Sequence, residues 1–209
     1  MAWEPWPSFE AAERDNVAWQ TLRIPEESHW SNWERTIPYY FAFTSFIDEQ
    51  VGRILDQLDA LGLTDNTLVL FTADHGEYLG THGGLANKGR GHYEEIARIP
   101  MIVRAPKALV GDSPRRQGAR LNHYASNVDM YATIADAAGA DISEYHPHGL
   151  SLLEPIRDAD AAWRSDVFME CFGLGHLPQT AFTCRSGRYK YGFNFGGRDE
   201  LYDLDEDPH

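Results

Sequence analysis

The stretch TLVLFTADHGEYLGTHGGLANKGRGHYEEIARIPMIVRAP, residues 67–106, decides how the rest of the chain is read. It opens with an apolar β-type run from Thr67 to Thr72 and breaks into Ala73-Asp74-His75-Gly76. A glycine-rich loop follows, and the chain returns through Tyr93-Glu94-Glu95 to a second apolar run, Ile99 to Val103. A strand that stops in Asp-His-Gly carries two metal-type ligands at its carboxyl end, where open α/β sheets build their sites. Adjacent ligands can reach one ion there because the up-down alternation of the strand has ended. Carboxylate plus imidazole suits calcium, manganese or zinc, and the carboxylate favours the harder ions. Gly76 admits a backbone path that a Cβ would obstruct. Lys88, between Asn87 and Gly89, is a candidate clamp for a tetrahedral anion, the alternative being a solvated surface cation. For His82 and His92 the plain reading is loop hydrogen bonding. Tyr93-Glu94-Glu95 before Arg98 reads as a helical turn with an ion pair.

Working outward, apolar residues recur at helical spacing upstream: Phe43, Ile47, Val51, Ile54, Leu58 and Leu61. The spacing predicts a helix from Pro38 to Leu61, stopped by Gly62 in a left-handed conformation. Helix, turn at Asp65-Asn66 and buried strand make an α/β half-unit, expected in a parallel sheet. Residues 1–36 hold Trp3, Trp6, Trp19, Trp30 and Trp33 among prolines and charges. They read as an irregular lead segment whose aromatics pack on the domain or wall a pocket. Downstream, residues 107–120 read as a basic loop with Lys107, Arg115, Arg116 and Arg120. Asn127 to Ala138 reads as a helix with Asn127 as N-cap and Gly139 as its stop. His148 to Leu153 reads as loop and turn. The period then changes to short β-type runs, Asp166–Cys171, Gln179–Arg185, Arg188–Phe193 and Glu200–Leu204, with a hairpin signal at Ser186-Gly187. The organisation is therefore 1–36 lead segment, 37–158 α/β domain and 159–209 small antiparallel subdomain.

Composition sets the outer bounds. The chain has 209 residues, 43% hydrophobic and 24% charged, which suits a globular fold. Its net charge of −14 argues against nucleic acid or an anionic membrane as partner. It leaves anionic substrates open, because a metal or a lysine inverts the sign locally. The two cysteines, Cys171 and Cys184, show no zinc pattern and leave one disulfide or two free thiols open. No run reaches the ~18 apolar residues of a membrane helix. Met1-Ala2-Trp3-Glu4 has neither a basic nor an apolar leader region, so a genuine start there implies a cytoplasmic protein.

The motifs TADHGEYLGTHG (72–83), Lys88, YEE (93–95) and RIPMIVRAP (98–106) carry a resemblance. It continues in VDMYATIADAAG (128–139), HGLSLL (148–153), RYKY (188–191) and ELYDLDEDP (200–208). Together, in this order and over roughly residues 38–209, these resemble the C-terminal half of the catalytic domain of sulfatases, in the alkaline phosphatase superfamily. The resemblance implies a partial alkaline-phosphatase-like α/β sheet flanked by helices, with a small C-terminal antiparallel β subdomain that shapes the substrate pocket. It implies hydrolysis of sulfate esters, on a small molecule or a glycan, with one divalent cation: Ca2+ first, Mn2+ second. By position, Asp74 and His75 match the family's second pair of metal ligands, and Lys88 matches the lysine that contacts the sulfate group. Asn is common at the position of His75, and His occurs there in other sulfatases and in phosphonate monoester hydrolases.

The family's nucleophile, a Cys or Ser in C/S-x-P/A-x-R matured to formylglycine, lies upstream of this region. Cys184-Arg185-Ser186-Gly187-Arg188 has the spacing but neither Pro nor Ala third, and Cys171-Phe172-Gly173-Leu174-Gly175 has no arginine. The expectation is an incomplete sulfatase chain without a catalytic residue of its own. Its partner is then a missing N-terminal half or a second copy. The alternatives are a phosphonate or phosphate ester hydrolase on the same scaffold, and a non-catalytic truncated or partner-dependent protein.

Overall fold

The computed structural model describes residues 29–85, 88, 92–111, 118–145, 148–158, 160–174, 177–195 and 197–206. The tryptophans 3, 6 and 19 and the arginines 115 and 116 lie outside the described residues. Among these, the chain opens with a long helix, α1, His29–Ala60, with Pro38 inside it. The last part of the lead segment is therefore helical, and the helix starts well before the expected Pro38. Pro38 removes one backbone donor, but Trp33 is 6% exposed and its ring lies where a Cβ on Gly80 would come within 2.7 Å. That anchor holds the helix on the N-terminal side of the proline. At the other end Gly62 (φ 67°) closes α1 as expected. Leu63 N–H donates to Leu58 O at 2.9 Å and Gly62 N–H to Asp59 O at 3.0 Å, the paired bonds of a Schellman stop.

A 3₁₀ turn, Thr64–Asn66, leads into β1, Val69–Thr72. The connection after β1 contains two single-turn helices, α2 Thr81–Gly84 and α3 Glu94–Ala97, before β2, Met101–Arg104. β1 and β2 pair antiparallel, Thr72 facing Met101 and Val69 facing Arg104. A parallel neighbour needs a crossover back to the start of β1. Residues 73–100 instead fold at one end, so the whole connection is an oversized hairpin loop beyond the Thr72–Met101 pair.

The single turn α4, Lys107–Val110, occupies the start of the expected basic loop. Helix α5, Asp129–Ala138, ends at Gly139 (φ 66°). The short α6, Glu154–Arg157, follows the 148–153 turn. Gly149 sits so close to the start of α5 that a Cβ there would lie 2.1 Å from Val128 O.

The tail is a four-stranded meander: β3 Asp166–Leu174, β4 Leu177–Ser186, β5 Tyr189–Asn194 and β6 Glu200–Asp203, all antiparallel neighbours. Ser186 pairs with Tyr189 across a two-residue turn in which Gly187 takes φ 54°. That is the expected hairpin, its turn one residue further on. Phe168 pairs with Cys184 and Cys171 with Ala181, which puts the two cysteines on opposite faces of this ribbon. Both are free thiols. The inner face of the sheet is buried and small or polar: Ala181 3%, Thr183 5% and Lys190 3% exposed. It closes over a cluster of Tyr78, Leu85, Tyr93 and Ile96, with Tyr202 against it. The core thus sits between the hairpin loop and the tail sheet. Among the described residues no helix is long and apolar enough to cross a membrane.

Candidate metal and anion site

The end of β1 is tied down before the candidate ligands begin. Thr72 Oγ1 donates to Asn127 Oδ1 at 3.0 Å, and Asn127 Nδ2 donates to Ala73 O at 2.9 Å. Asn127 is therefore a strand clasp rather than the N-cap expected of it. The N-cap position of α5 is Val128, which makes no side-chain cap bond. Asp129 serves that end instead. Its fully buried carboxylate accepts from Ser126 N–H and Leu150 N–H, both at 2.8 Å, and from the Arg164 guanidinium. Its place in the first turn of α5 is also one where the helix dipole favours an acidic side chain.

Beyond the clasp come Asp74 and His75. The Asp74 side chain is 84% exposed and that of His75 27%. Asp74 Oδ1 accepts the His75 backbone N–H at 3.0 Å. His75 Nδ1 lies 2.7 Å from Gly76 O. A carbonyl only accepts, so Nδ1 carries a proton, and in the neutral tautomer this selects the lone pair falls on Nε2. That Nε2 is 3.5 Å from Asp74 Oδ2. In that tautomer two electron-pair donors face one another, an arrangement that a cation satisfies. Anchoring the far ring nitrogen on a carbonyl is how ligand histidines are held in one tautomer. A hard divalent ion fits this oxygen-and-imidazole set. Among the described residues no group of three or more His, Cys, Asp or Glu converges as a metal cluster.

The loop is held against α3. Gly76 N–H donates to Ile96 O at 2.9 Å, and a Cβ on Gly76 would lie 1.7 Å from Glu95 O. Glycine is needed there for backbone contact, not for a positive φ. Further along, Leu79 (φ 48°), Gly80 (φ 90°) and His82 (φ 49°) turn the chain sharply. For the two non-glycine residues that conformation is strained and persists only if the surroundings enforce it. They do. His82 Nε2 lies 3.1 Å from both oxygens of Glu95, and its ring stacks on Tyr93 at 4.0 Å and 15°. Burial alone would raise the Glu95 carboxyl, but its own backbone amide, His82 and Thr81 outweigh that and hold it below the ordinary carboxylate range. Burial, with Glu95 and Glu200 nearby, pushes the Tyr78 hydroxyl far up, and burial with Glu200 does the same to Tyr93.

The tail sheet grips the other side of α3. Glu94 takes Lys190 Nζ at 2.8 Å and Arg185 Nη1 at 3.0 Å. His92 Nδ1 lies 2.7 Å from Thr183 Oγ1, and Tyr93 Oη donates to Glu200 at 3.4 Å. Burial and then the Lys190 charge depress the His92 imidazole below its usual value. The acidic pair of Tyr93-Glu94-Glu95 thus turns to His82 and to the tail. Lys190, Arg185 and Thr183 were missed in the sequence. Their signal was there: in Arg188-Tyr189-Lys190-Tyr191 a lysine occupies an inward position of an alternating strand. Lys88 is exposed on a turn of the same connection, among residues 86–87 and 89–91, which lie outside the description.

Comparison with known proteins completes the picture. Residues 7–140 match the sulfatase family, and residues 80–209 match the family described as N-sulphoglucosamine sulphohydrolase, C-terminal. The chain belongs to the sulfatase family. It is 32% identical over 193 residues to a choline-sulfatase of Rhizobium meliloti, covering 91% of this chain and 34% of that protein. The structure of BT4656 with its substrate D-glucosamine-2-N,6-O-disulfate superposes with TM-score 0.65 at 30% identity, over 78% of this chain and 32% of the other. The phosphonate monoester hydrolase of Agrobacterium radiobacter gives 0.65 at 28%, over 78% and 33%. The fold is therefore that of alkaline-phosphatase-like sulfatases, and the chain spans about a third of the length of these relatives.

Proposed function

We propose that this sulfatase-family chain contributes the second metal-ligand pair and the anion-contacting lysine to a divalent-metal-dependent hydrolase of sulfate esters. The reaction is R–O–SO3− plus water giving R–OH plus sulfate. The observation that carries the reading is His75 Nε2 facing Asp74 Oδ2 at 3.5 Å with its tautomer fixed by Gly76 O. When bound, the cation neutralises charge on the sulfuryl oxygens. Asp74 and His75 hold it, and Gly76 keeps His75 in place through its carbonyl and its contact with α3. Lys88 adds a second positive pole for the transferred group. Calcium is the preferred ion because a carboxylate is a hard ligand, and manganese is the second choice. The substrate class is a small sulfate ester or a sulfated glycan, supported by the sulfated glucosamine bound in one structural neighbour.

Calorimetric titration with calcium and then manganese, beside Asp74→Ala, tests this reading. Two protein ligands leave most of a hard cation's shell to water. The expected result is weak binding, about 10⁻⁴ to 10⁻³ M, that Asp74→Ala abolishes. Binding indifferent to Asp74 would sink it. A second reading, phosphonate monoester hydrolysis, is supported by the likeness to the phosphonate monoester hydrolase of Agrobacterium radiobacter. Parallel assays of an aryl sulfate and an aryl phosphonate on the nucleophile-bearing protein separate the two.

A further inference from the structure

Asp74 has little besides its own backbone to hold it. Its side chain is 84% exposed, and among the described residues it meets only His75. Oδ1 accepts the His75 backbone N–H at 3.0 Å, and Oδ2 lies 3.5 Å from Nε2. Both contacts are to the next residue, so neither ties the carboxylate to the rest of the fold. That tie comes one residue earlier. The carbonyl of Ala73 belongs to the peptide plane that enters Asp74, and Asn127 Nδ2 donates to it at 2.9 Å. A carbonyl only accepts, so the amide must turn its NH2 to Ala73 and its Oδ1 to Thr72. Thr72 Oγ1 meets that demand, donating at 3.0 Å. One amide thus fixes the two residues directly before Asp74, across 55 and 54 positions of sequence.

Asn127 is itself held from both sides. Ser126 N–H donates to one oxygen of the fully buried Asp129 carboxylate, and Leu150 N–H and Arg164 donate to the other. Val128 O lies against Gly149, where a Cβ would come within 2.1 Å. An asparagine in front of a helix ordinarily caps it. Here Asp129 serves that end of α5, which releases the Asn127 amide to β1.

We infer that Asn127 is a positioning residue for the metal ligand Asp74. Its amide sets the Ala73–Asp74 peptide plane and carries the rigidity of the segments 126–129 and 149–164 to the end of β1. This rests on the proposed cation site at Asp74 and His75 and adds what holds its carboxylate in place. Losing a supporting group of this kind typically weakens metal binding about 10–100-fold.

The test is read on the full 209-residue chain by NMR relaxation and by calcium titration followed through amide shifts. Asn127→Asp keeps the shape but sets a carboxylate against the Ala73 carbonyl with no proton between them. With no metal present, backbone order parameters at Asp74 and His75 are expected to fall from about 0.85 to below about 0.6. Calcium is expected to bind about tenfold more weakly. An added negative charge acting through space alone would tighten that binding, so the sign separates the two effects. Thr72→Val, which loses only the donor to Oδ1, should do the same to a smaller degree, and it carries the test if Asn127→Asp does not fold. Arg157→Ala breaks the pair with Asp136 near the far end of α5. It should lower the melting temperature yet leave order and calcium affinity at the site unchanged. Unchanged order in the Asn127 and Thr72 variants, or lowered order with calcium affinity intact, overturns the inference. So does an equal loss of affinity in Arg157→Ala, which would mark a general loosening of the fold. Calcium binding that Asp74→Ala leaves intact would instead sink the cation site itself, and the inference with it.

Discussion

At the residue scale, Gly76 is the tightest constraint near the candidate ligands. With a Cβ 1.7 Å from Glu95 O, alanine must push two backbones apart. Gly76→Ala should therefore cost about 1–3 kcal/mol in urea unfolding, in the range of overpacking. It should also weaken calcium binding, because the Gly76 carbonyl orients His75. The same alanine at Gly62, where no atom lies within 4 Å, meets only the strain of φ 67° and should spare metal binding. His92 supplies a pH signature. Its folded pKa lies below the ordinary 6.5, so the fold favours the neutral ring. The stability it contributes is whole above pH ~6.5 and is lost as pH falls toward the depressed value. Glu95 acts in the same direction lower down: its folded pKa is below 4.5, so its share is whole above that and lost in stronger acid. Thermal melts from pH 8 to 4 should fall in acid. His92→Gln, which keeps a partner for Thr183 without titrating, should remove the decline that begins near pH 6.5. An unchanged profile would show that His92 does not carry it.

At the element scale, α3 is a single helical turn gripped from two sides. His82 holds Glu95, and Lys190 with Arg185 holds Glu94. Hydrogen bonds to charged groups contribute about 1.5–3 kcal/mol each when one partner is buried. Lys190→Ala should destabilise by about that amount, and a double-mutant cycle with Glu94→Gln should show coupling near or above ~1 kcal/mol. Near-zero coupling would mean that the Lys190–Glu94 pair adds nothing of its own to the hold on the tail. The elements themselves were largely legible. The apolar runs marked β1 and β2, the glycines at 62 and 139 marked helix ends, and Ser186-Gly187 marked a hairpin, because each is a local effect of backbone geometry. Strand direction was not legible, since it depends on where residues 73–100 spend their length. Nor was the role of Asn127. An Asn before a helix is a good N-cap by propensity, and only the proximity of Ala73 shows that its amide is used elsewhere.

At the scale of the whole molecule, Asp-His-Gly and the ordered motifs around it pointed to the family, because ligand chemistry at a strand end is written in adjacent residues. What covers the α1 stripe was not legible, because amphipathic spacing reports that a face needs burial, not what buries it. The same gap governs activity. Covalent sulfuryl transfer needs a nucleophile, and neither Cys184, on a tail strand, nor Cys171, on the opposite face of its ribbon, stands in the required motif. Burial and then Asp166 also push the Cys184 thiol above its usual value, away from the reactive thiolate. The 209-residue chain alone should therefore show no turnover of an aryl sulfate above buffer, with or without calcium. Robust hydrolysis that Lys88→Ala abolishes would mean that a nucleophile is present within this chain, and the division of labour between its two ligands and an outside nucleophile would have to be abandoned.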